Sequence, residues 1–239
     1  MRSAALENDI GQEPIPAETA PDFDRLAHIY RWMEWFSFGP FLSRCRCAFL
    51  GSLNNRRRAL VLGDGDGRFA ARLLNENRDV TIDAVDASGA MLRELRRRVE
   101  SHGDRLTTHT SDARRFAPPR RAYDLIVTHF FLDCLTTEEV ESLATRQHSH
   151  TREGALWVIS EFAVPAGWFG RAVARPLISF LYWAFACLTG LKIHCLPDHR
   201  FALEQAGWSL EREQHWLGGL LVSELWRRVT QRSDIRPGL

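Results

Sequence analysis

From Ala59 to Phe162, short apolar runs alternate with helical patterns, and this alternation constrains the fold more than any other feature of the chain. Ala59–Leu62 reads as a buried strand, Arg68–Glu76 as a helix and Thr81–Val85 as a second strand. Ser88 caps a helix carrying Met91, Leu92, Leu95 and Val99. Leu106–Thr110 and Tyr123–Val127 follow as strands, Thr136-Thr137-Glu138-Glu139 supplies a capping box, and Ala155–Phe162 is a further buried strand. Strands and helices alternating at these lengths predict a parallel α/β sheet with right-handed crossovers. Near the end, Trp208–His215 and Leu220–Trp226 read as two strands that pair antiparallel at the sheet edge.

Composition removes whole classes of chemistry. Lys192 is the sole lysine of 239 residues, so phosphate-loop binding and the Tyr-x-x-x-Lys pair of short-chain reductases have no residue to use. Thirty-one basic against thirty acidic side chains leave a net charge of +1, which predicts no nucleic-acid partner. Cys45, Cys47, Cys134, Cys187 and Cys195 form no C-x-x-C pair and read as reduced thiols. The first twenty residues lack both the basic start and the apolar run of a signal peptide, so the expectation is a cytoplasmic protein. The intervals among His148, His150, His194, Cys195, His199 and His215 match no zinc pattern, and no metal is expected.

The first strand ends in Gly63-Asp64-Gly65-Asp66-Gly67, with a helix directly after it. Alternate glycines let the chain turn sharply and bring bare backbone against a ligand at the carboxyl end of a strand. The spacing is G-x-G-x-G, whereas a dinucleotide site has G-x-G-x-x-G. A calcium loop fails because Arg68 stands where an oxygen ligand is needed. The second strand closes with Asp86-Ala87, twenty-three residues beyond Gly63, where a carboxylate can accept two hydrogen bonds from a ribose diol. The third ends in Asp112-Ala113, suited to an adenine edge.

In this order these motifs resemble the class I S-adenosylmethionine-dependent methyltransferases, over roughly residues 59–162. Phe23-Asp24-Arg25-Leu26-Ala27-His28-Ile29-Tyr30 is similar to the start of the ubiquinone/menaquinone-biosynthesis group. The resemblance implies a Rossmann-like seven-stranded sheet, mostly parallel with the last strand antiparallel, and S-adenosylmethionine as cofactor. It implies that Gly63, Gly65 and Gly67 line the methionine moiety, that Asp86 with Ala87 holds the ribose, and that Asp112 with Ala113 faces the adenine. Thr128 joins this set, and Tyr30 sits on a lid helix. The family usually carries an acid two residues before the first glycine; Val61 stands there, leaving Asp64 or Asp66 to substitute, or a low affinity.

On this reading residues 1–20 are a mobile tail, 21–58 a helical lid, 59–165 the cofactor-binding core, 166–200 an apolar substrate lid and 201–239 the strands that complete the sheet. Methyl transfer needs alignment of a nucleophile and exclusion of water more than acid–base chemistry. His129 is the candidate general base and Asp133 a second catalytic candidate, each with core packing as its alternative. The absence of an N/D-P-P-Y/F motif after the fourth strand argues against base methylation. Residues 171–192 hold sixteen uncharged positions in a row, too few to span a bilayer. They suit an apolar lid, a membrane-surface helix, or a helix buried against the sheet or in a homodimer interface. The expected acceptor is small and lipophilic, quinone-like or aromatic, methylated on oxygen or carbon. A nicotinamide-dependent reductase and a non-catalytic binding protein are the rival readings.

Overall fold

The computed structural model describes residues 40–165, 167, 168, 170–176, 178 and 197–229. Tyr30, the tail, half of the N-terminal lid and most of the 171–192 stretch therefore lie outside the described residues. The first described helix, α1 (Pro40–Arg46), begins on a proline, whose fixed φ suits a first helical turn.

Seven strands form one sheet: β1 (Arg58–Leu62), β2 (Thr81–Asp86), β3 (Leu106–Thr110), β4 (Tyr123–His129), β5 (Thr151–Phe162), β6 (Trp208–Trp216) and β7 (Leu221–Arg228). Their order is β3-β2-β1-β4-β5-β7-β6. The first five are parallel, and β7 runs antiparallel to both its neighbours. Helices α2 (Arg68–Glu76), α3 (Gly89–Arg98), α4 (Thr137–His150) and α5 (His199–Gln205) complete the frame. The chain leaves β3 at one edge and returns beside β1 as β4, so winding reverses between β1 and β4. In open α/β sheets the crevice outside the carboxyl ends at that reversal is where ligands bind.

Side chains alternate across the strands, and each set has its own helical cover. Val61, Ala84, Val127 and Val158 pack with Phe69, Leu73 and Leu74 of α2 and with Leu95 of α3. Leu60, Leu62, Ile126, Trp157 and Trp226 pack on the opposite face with Val140 and Leu143 of α4 and Leu203 of α5. Each large apolar side chain buried this way contributes about 1.5–3 kcal/mol. Trp157 and Trp208 meet edge to face at 5.2 Å. The Thr136 capping box is present: its hydroxyl accepts from Glu139 N–H, and the Glu139 carboxylate accepts from Thr136 N–H.

Two polar features pin the frame. Buried Asp124 accepts from the N–H groups of Arg57 and Arg58 and from Arg152 Nη2, tying the start of β1 to β4 and β5. Asn77, just after α2, donates to the carbonyls of Leu53 and Arg56. Among the described residues no helix is long and apolar enough to cross a membrane.

Candidate functional site

The loop after β1 lies at the β1/β4 reversal. Gly63, Gly65 and Gly67 have φ values of +71°, +60° and +78°, a region that L side chains enter at a cost of roughly 1–2 kcal/mol. The three glycines are needed for different reasons. A Cβ on Gly63 would lie 2.8 Å from the Phe131 ring, and one on Gly67 would lie 2.5 Å from Leu95 Cγ. At Gly65 a Cβ would meet nothing nearer than Met91 Sδ, at 4.0 Å. Gly63 and Gly67 are therefore fixed by packing against the protein, and Gly65 alone presents bare backbone to open space. This narrows the expectation that all three line a ligand.

Asp86, at the carboxyl end of β2, faces the same loop. Its Oδ1 accepts from Ser88 N–H at 2.8 Å. Burial raises its pKa, opposed by the N–H groups of Ser88 and Gly65. The open glycine and the ribose-binding candidate thus stand beside each other. Ser111 N–H, before Asp112, donates to the Asp86 carbonyl at 3.1 Å, which brings the third strand end alongside. Ala113 is buried and Ala87 exposed.

Several candidates are engaged elsewhere. Asp66 receives Arg68 Nε at 2.9 Å and Arg98 Nη2 at 3.0 Å, so its carboxylate is spent on the α2–α3 contact and not on an incoming amino group. Asp64 caps α2, accepting from Ala70 N–H at 2.9 Å; burial pushes its carboxyl up to about 7, against the pull of that N–H and of Arg46. Asp112 is clamped by its neighbour Arg114: burial raises its pKa, but the hydrogen bonds and charge of Arg114 outweigh this and hold it low. Thr128 is fully buried, and its hydroxyl accepts from the Trp157 indole N–H at 3.0 Å, so no hydroxyl reaches the crevice.

His129 and Asp133 do not form a pair. The His129 ring is buried on the α2 face, edge-on to Phe69 at 4.6 Å, and among the described residues neither ring nitrogen has a partner. Burial and then the charge of Arg46 drive its pKa well below the usual histidine value, so it stays neutral. Asp133 instead neighbours Glu161, a residue that sequence reasoning missed. Glu161 Oε1 accepts from Phe131 and Leu132 N–H at 3.2 and 2.9 Å, while its other oxygen is buried with no partner among the described residues. Burial, then the Asp133 charge, raise the Glu161 pKa far above normal. A glutamate inside the apolar run of β5 was the available signal. Its hydrogen bonds hold the turn that carries Phe131 against Gly63 and places Phe130 at φ +51°.

Comparison with known proteins agrees with this arrangement. Residues 59–154 match the model of the methyltransferase domain family. The matched segment runs from β1 into the start of β5. The sheet is the class I S-adenosylmethionine-dependent methyltransferase fold. Similar solved structures include the mitomycin 7-O-methyltransferase MmcR, with TM-score 0.64 and 16% identity over 87% of this chain and 60% of that one. An O-methyltransferase family protein from Burkholderia thailandensis gives 0.61 and 17% over 87% and 62%. The N-methyltransferase NodS from Bradyrhizobium japonicum, in complex with S-adenosyl-L-homocysteine, gives 0.56 and 13% over 92% and 93%. The chain thus spans less than two thirds of the length of the first two. As many as 1309 solved chains match, so the likeness identifies a fold and not an acceptor. No curated protein matches the sequence significantly.

Proposed function

We propose that the protein moves a methyl group from S-adenosylmethionine to an oxygen of a small lipophilic acceptor, quinone-like or aromatic. The observation that carries the cofactor reading is Gly65: an open left-handed glycine at the β1/β4 reversal, in the loop beside the Asp86 carboxylate. Backbone at Gly65 would lie against the methionine arm, and Asp86 would accept from the ribose hydroxyls. Val61, where the family usually has an acid, is buried in the core, and Asp64 and Asp66 are held by α2 and α3, so the loop offers the amino group no free carboxylate. When bound, the cofactor supplies an activated methyl group on a sulfonium. The chain's residues align the acceptor and exclude water, which together supply about 7–11 kcal/mol.

Oxygen is favoured over nitrogen because the apolar 171–192 stretch suits a phenol or quinol, and the MmcR and Burkholderia thailandensis neighbours are named for O-methylation. The similarity of residues 23–30 to the ubiquinone/menaquinone group supports the same class. The test is mass-spectrometric detection of methylated product from a panel of quinols, catechols, amines and carboxylic acids. Product from a phenol or quinol, with matching S-adenosylhomocysteine release, supports the reading. Methylation confined to amines would overturn the choice of oxygen.

A further inference from the structure

Beyond the carboxyl end of β5 a cleft of about 420 Å³ opens between the β5 exit, β7 and the start of α5. This volume suits a small organic molecule. One wall is apolar: Ala163, Val164, Pro165 and Val222. The lining also carries His199, Arg200, His215 and Glu224. None of these was among the residues that the sequence singled out as catalytic.

Glu224 lies in the middle of β7 with its side chain fully buried. Its Oε2 accepts from His199 Nε2 at 3.0 Å and from the Trp226 indole N–H at 2.8 Å, and Oε1 accepts from Arg200 Nε at 2.7 Å. Burial opposes ionisation, yet His199, Trp226 and Arg200 together hold the carboxyl below its ordinary range. It is an anion, and an anion accepts hydrogen bonds. His199 Nε2 is thus the donor to Glu224, and in the neutral form of such an imidazole Nδ1 is the acceptor. Arg200 also bridges to Glu213, and His215 faces Glu213 at 3.4 Å, so the charged groups around the imidazole are Glu224, Arg200, Glu213 and His215.

The cleft is on the right part of the sheet. β5 stands two strands from β1, and neighbouring strands are about 4.8 Å apart, so the two strand ends lie roughly 10 Å apart laterally. Resting on the methyltransferase reading above, we propose that this cleft holds the acceptor, a small ring compound bearing an acidic hydroxyl (a phenol or enol), and that His199 takes its proton. The O–H bond breaks with its electron pair staying on oxygen, and the proton moves to Nδ1. The products are a phenolate and an imidazolium, and the Glu224 carboxylate neutralises the imidazolium. Arg200 stands beside the new anion. Glu224 is a positioning residue that acts through His199.

The probe is 4-nitrophenol, whose phenolate absorbs visible light and whose phenol form does not. Titration of the full chain with the probe across pH gives both affinity and the ionisation of the bound species. The expected result is saturable binding with the bound phenol ionising at least about one pH unit below the free probe. His199→Gln should abolish that downshift, weakening binding of the phenolate by about tenfold or more. Glu224→Gln should shrink it, a change that a merely structural carboxylate would not produce. Val222→Trp, which fills the apolar wall, should abolish binding. No saturable binding by the wild type, or an unchanged downshift in His199→Gln, would overturn the proposal. Denaturation midpoints and S-adenosylmethionine affinity, measured on every variant, separate a folding defect from a site effect. Failure of the wild type to bind S-adenosylmethionine would sink the methyltransferase reading and leave the probe result to stand or fall separately.

Discussion

Two substitutions in one loop should fail in opposite ways. Gly67→Ala forces an alanine to φ +78° and puts its methyl 2.5 Å from Leu95 Cγ and 3.0 Å from Leu95 Cα, where backbone cannot yield cheaply. The left-handed conformation costs roughly 1–2 kcal/mol, and overpacking adds about 1–3 kcal/mol. The expected loss is therefore about 2–5 kcal/mol, a fall of roughly 1–2 M in urea midpoint for a protein of this size. Gly65→Ala meets the same backbone cost at φ +60° but no clash. It should lose only about 1–2 kcal/mol of stability. Its methyl, however, would stand where bare backbone faces the ligand, so S-adenosylmethionine binding should be lost. Urea denaturation and calorimetry on the same two proteins read both quantities. A Gly67→Ala midpoint equal to wild type, or a stable Gly65→Ala that binds the cofactor normally, would refute the division of labour within the loop.

Asp64 should make stability fall as pH rises. Its carboxyl ionises near 7 in the folded protein, against about 3.9 in the unfolded chain. Between those values the native state holds more protons than the unfolded state, so stability declines with rising pH across that window. Asp64→Asn should match wild type near pH 4 and exceed it increasingly towards pH 8; parallel curves would show that the carboxyl is not buried as described. His129→Leu replaces an imidazole with two unpartnered nitrogens, so stability should hold or rise by about 1 kcal/mol, with methyl transfer kept within a few-fold. A loss of about 100-fold or more in turnover would restore His129 as the base.

Periodicity made the frame legible. Arg68–Glu76 and Leu106–Thr110 fall where the apolar pattern puts them, because those helix and strand faces pack on one core and carry its period. The strands run longer than their apolar runs. Thr128 and His129 extend β4 because their backbone pairs with Ile159 and Ser160 of β5, a bond no side-chain pattern reports. Thr151 opens β5 opposite Tyr123, ahead of a register shift, in a polar stretch that reads as loop.

The site was legible at its strand ends and opaque wherever one side chain's partner is distant in sequence. Asp66 looks free until Arg98, thirty-two residues on, is brought against it by the α2–α3 packing. His129 looks like a base because of its place after an apolar strand; only the fold shows that it points at Phe69. Glu161 and Glu224 are charged residues inside strand patterns, and their donors arrive from turns and helices elsewhere in the chain. The end of α4 shows the same dependence: Gln147 is buried, and His148 stacks edge-on with Trp208, sixty residues away.

The central claim is that this glycine loop and Asp86 hold S-adenosylmethionine. The direct test is calorimetric titration of the full chain with S-adenosylmethionine, S-adenosylhomocysteine, NADH and NADPH, repeated on Asp86→Ala. Two charge-assisted hydrogen bonds to the ribose are worth about 1.5–3 kcal/mol each, so the variant should bind at least about 100-fold more weakly. Binding of the two sulfur nucleotides and neither nicotinamide, lost in folded Asp86→Ala, is the result expected. Binding of a nicotinamide nucleotide instead, or no binding of any of them by folded wild-type protein, would contradict the account.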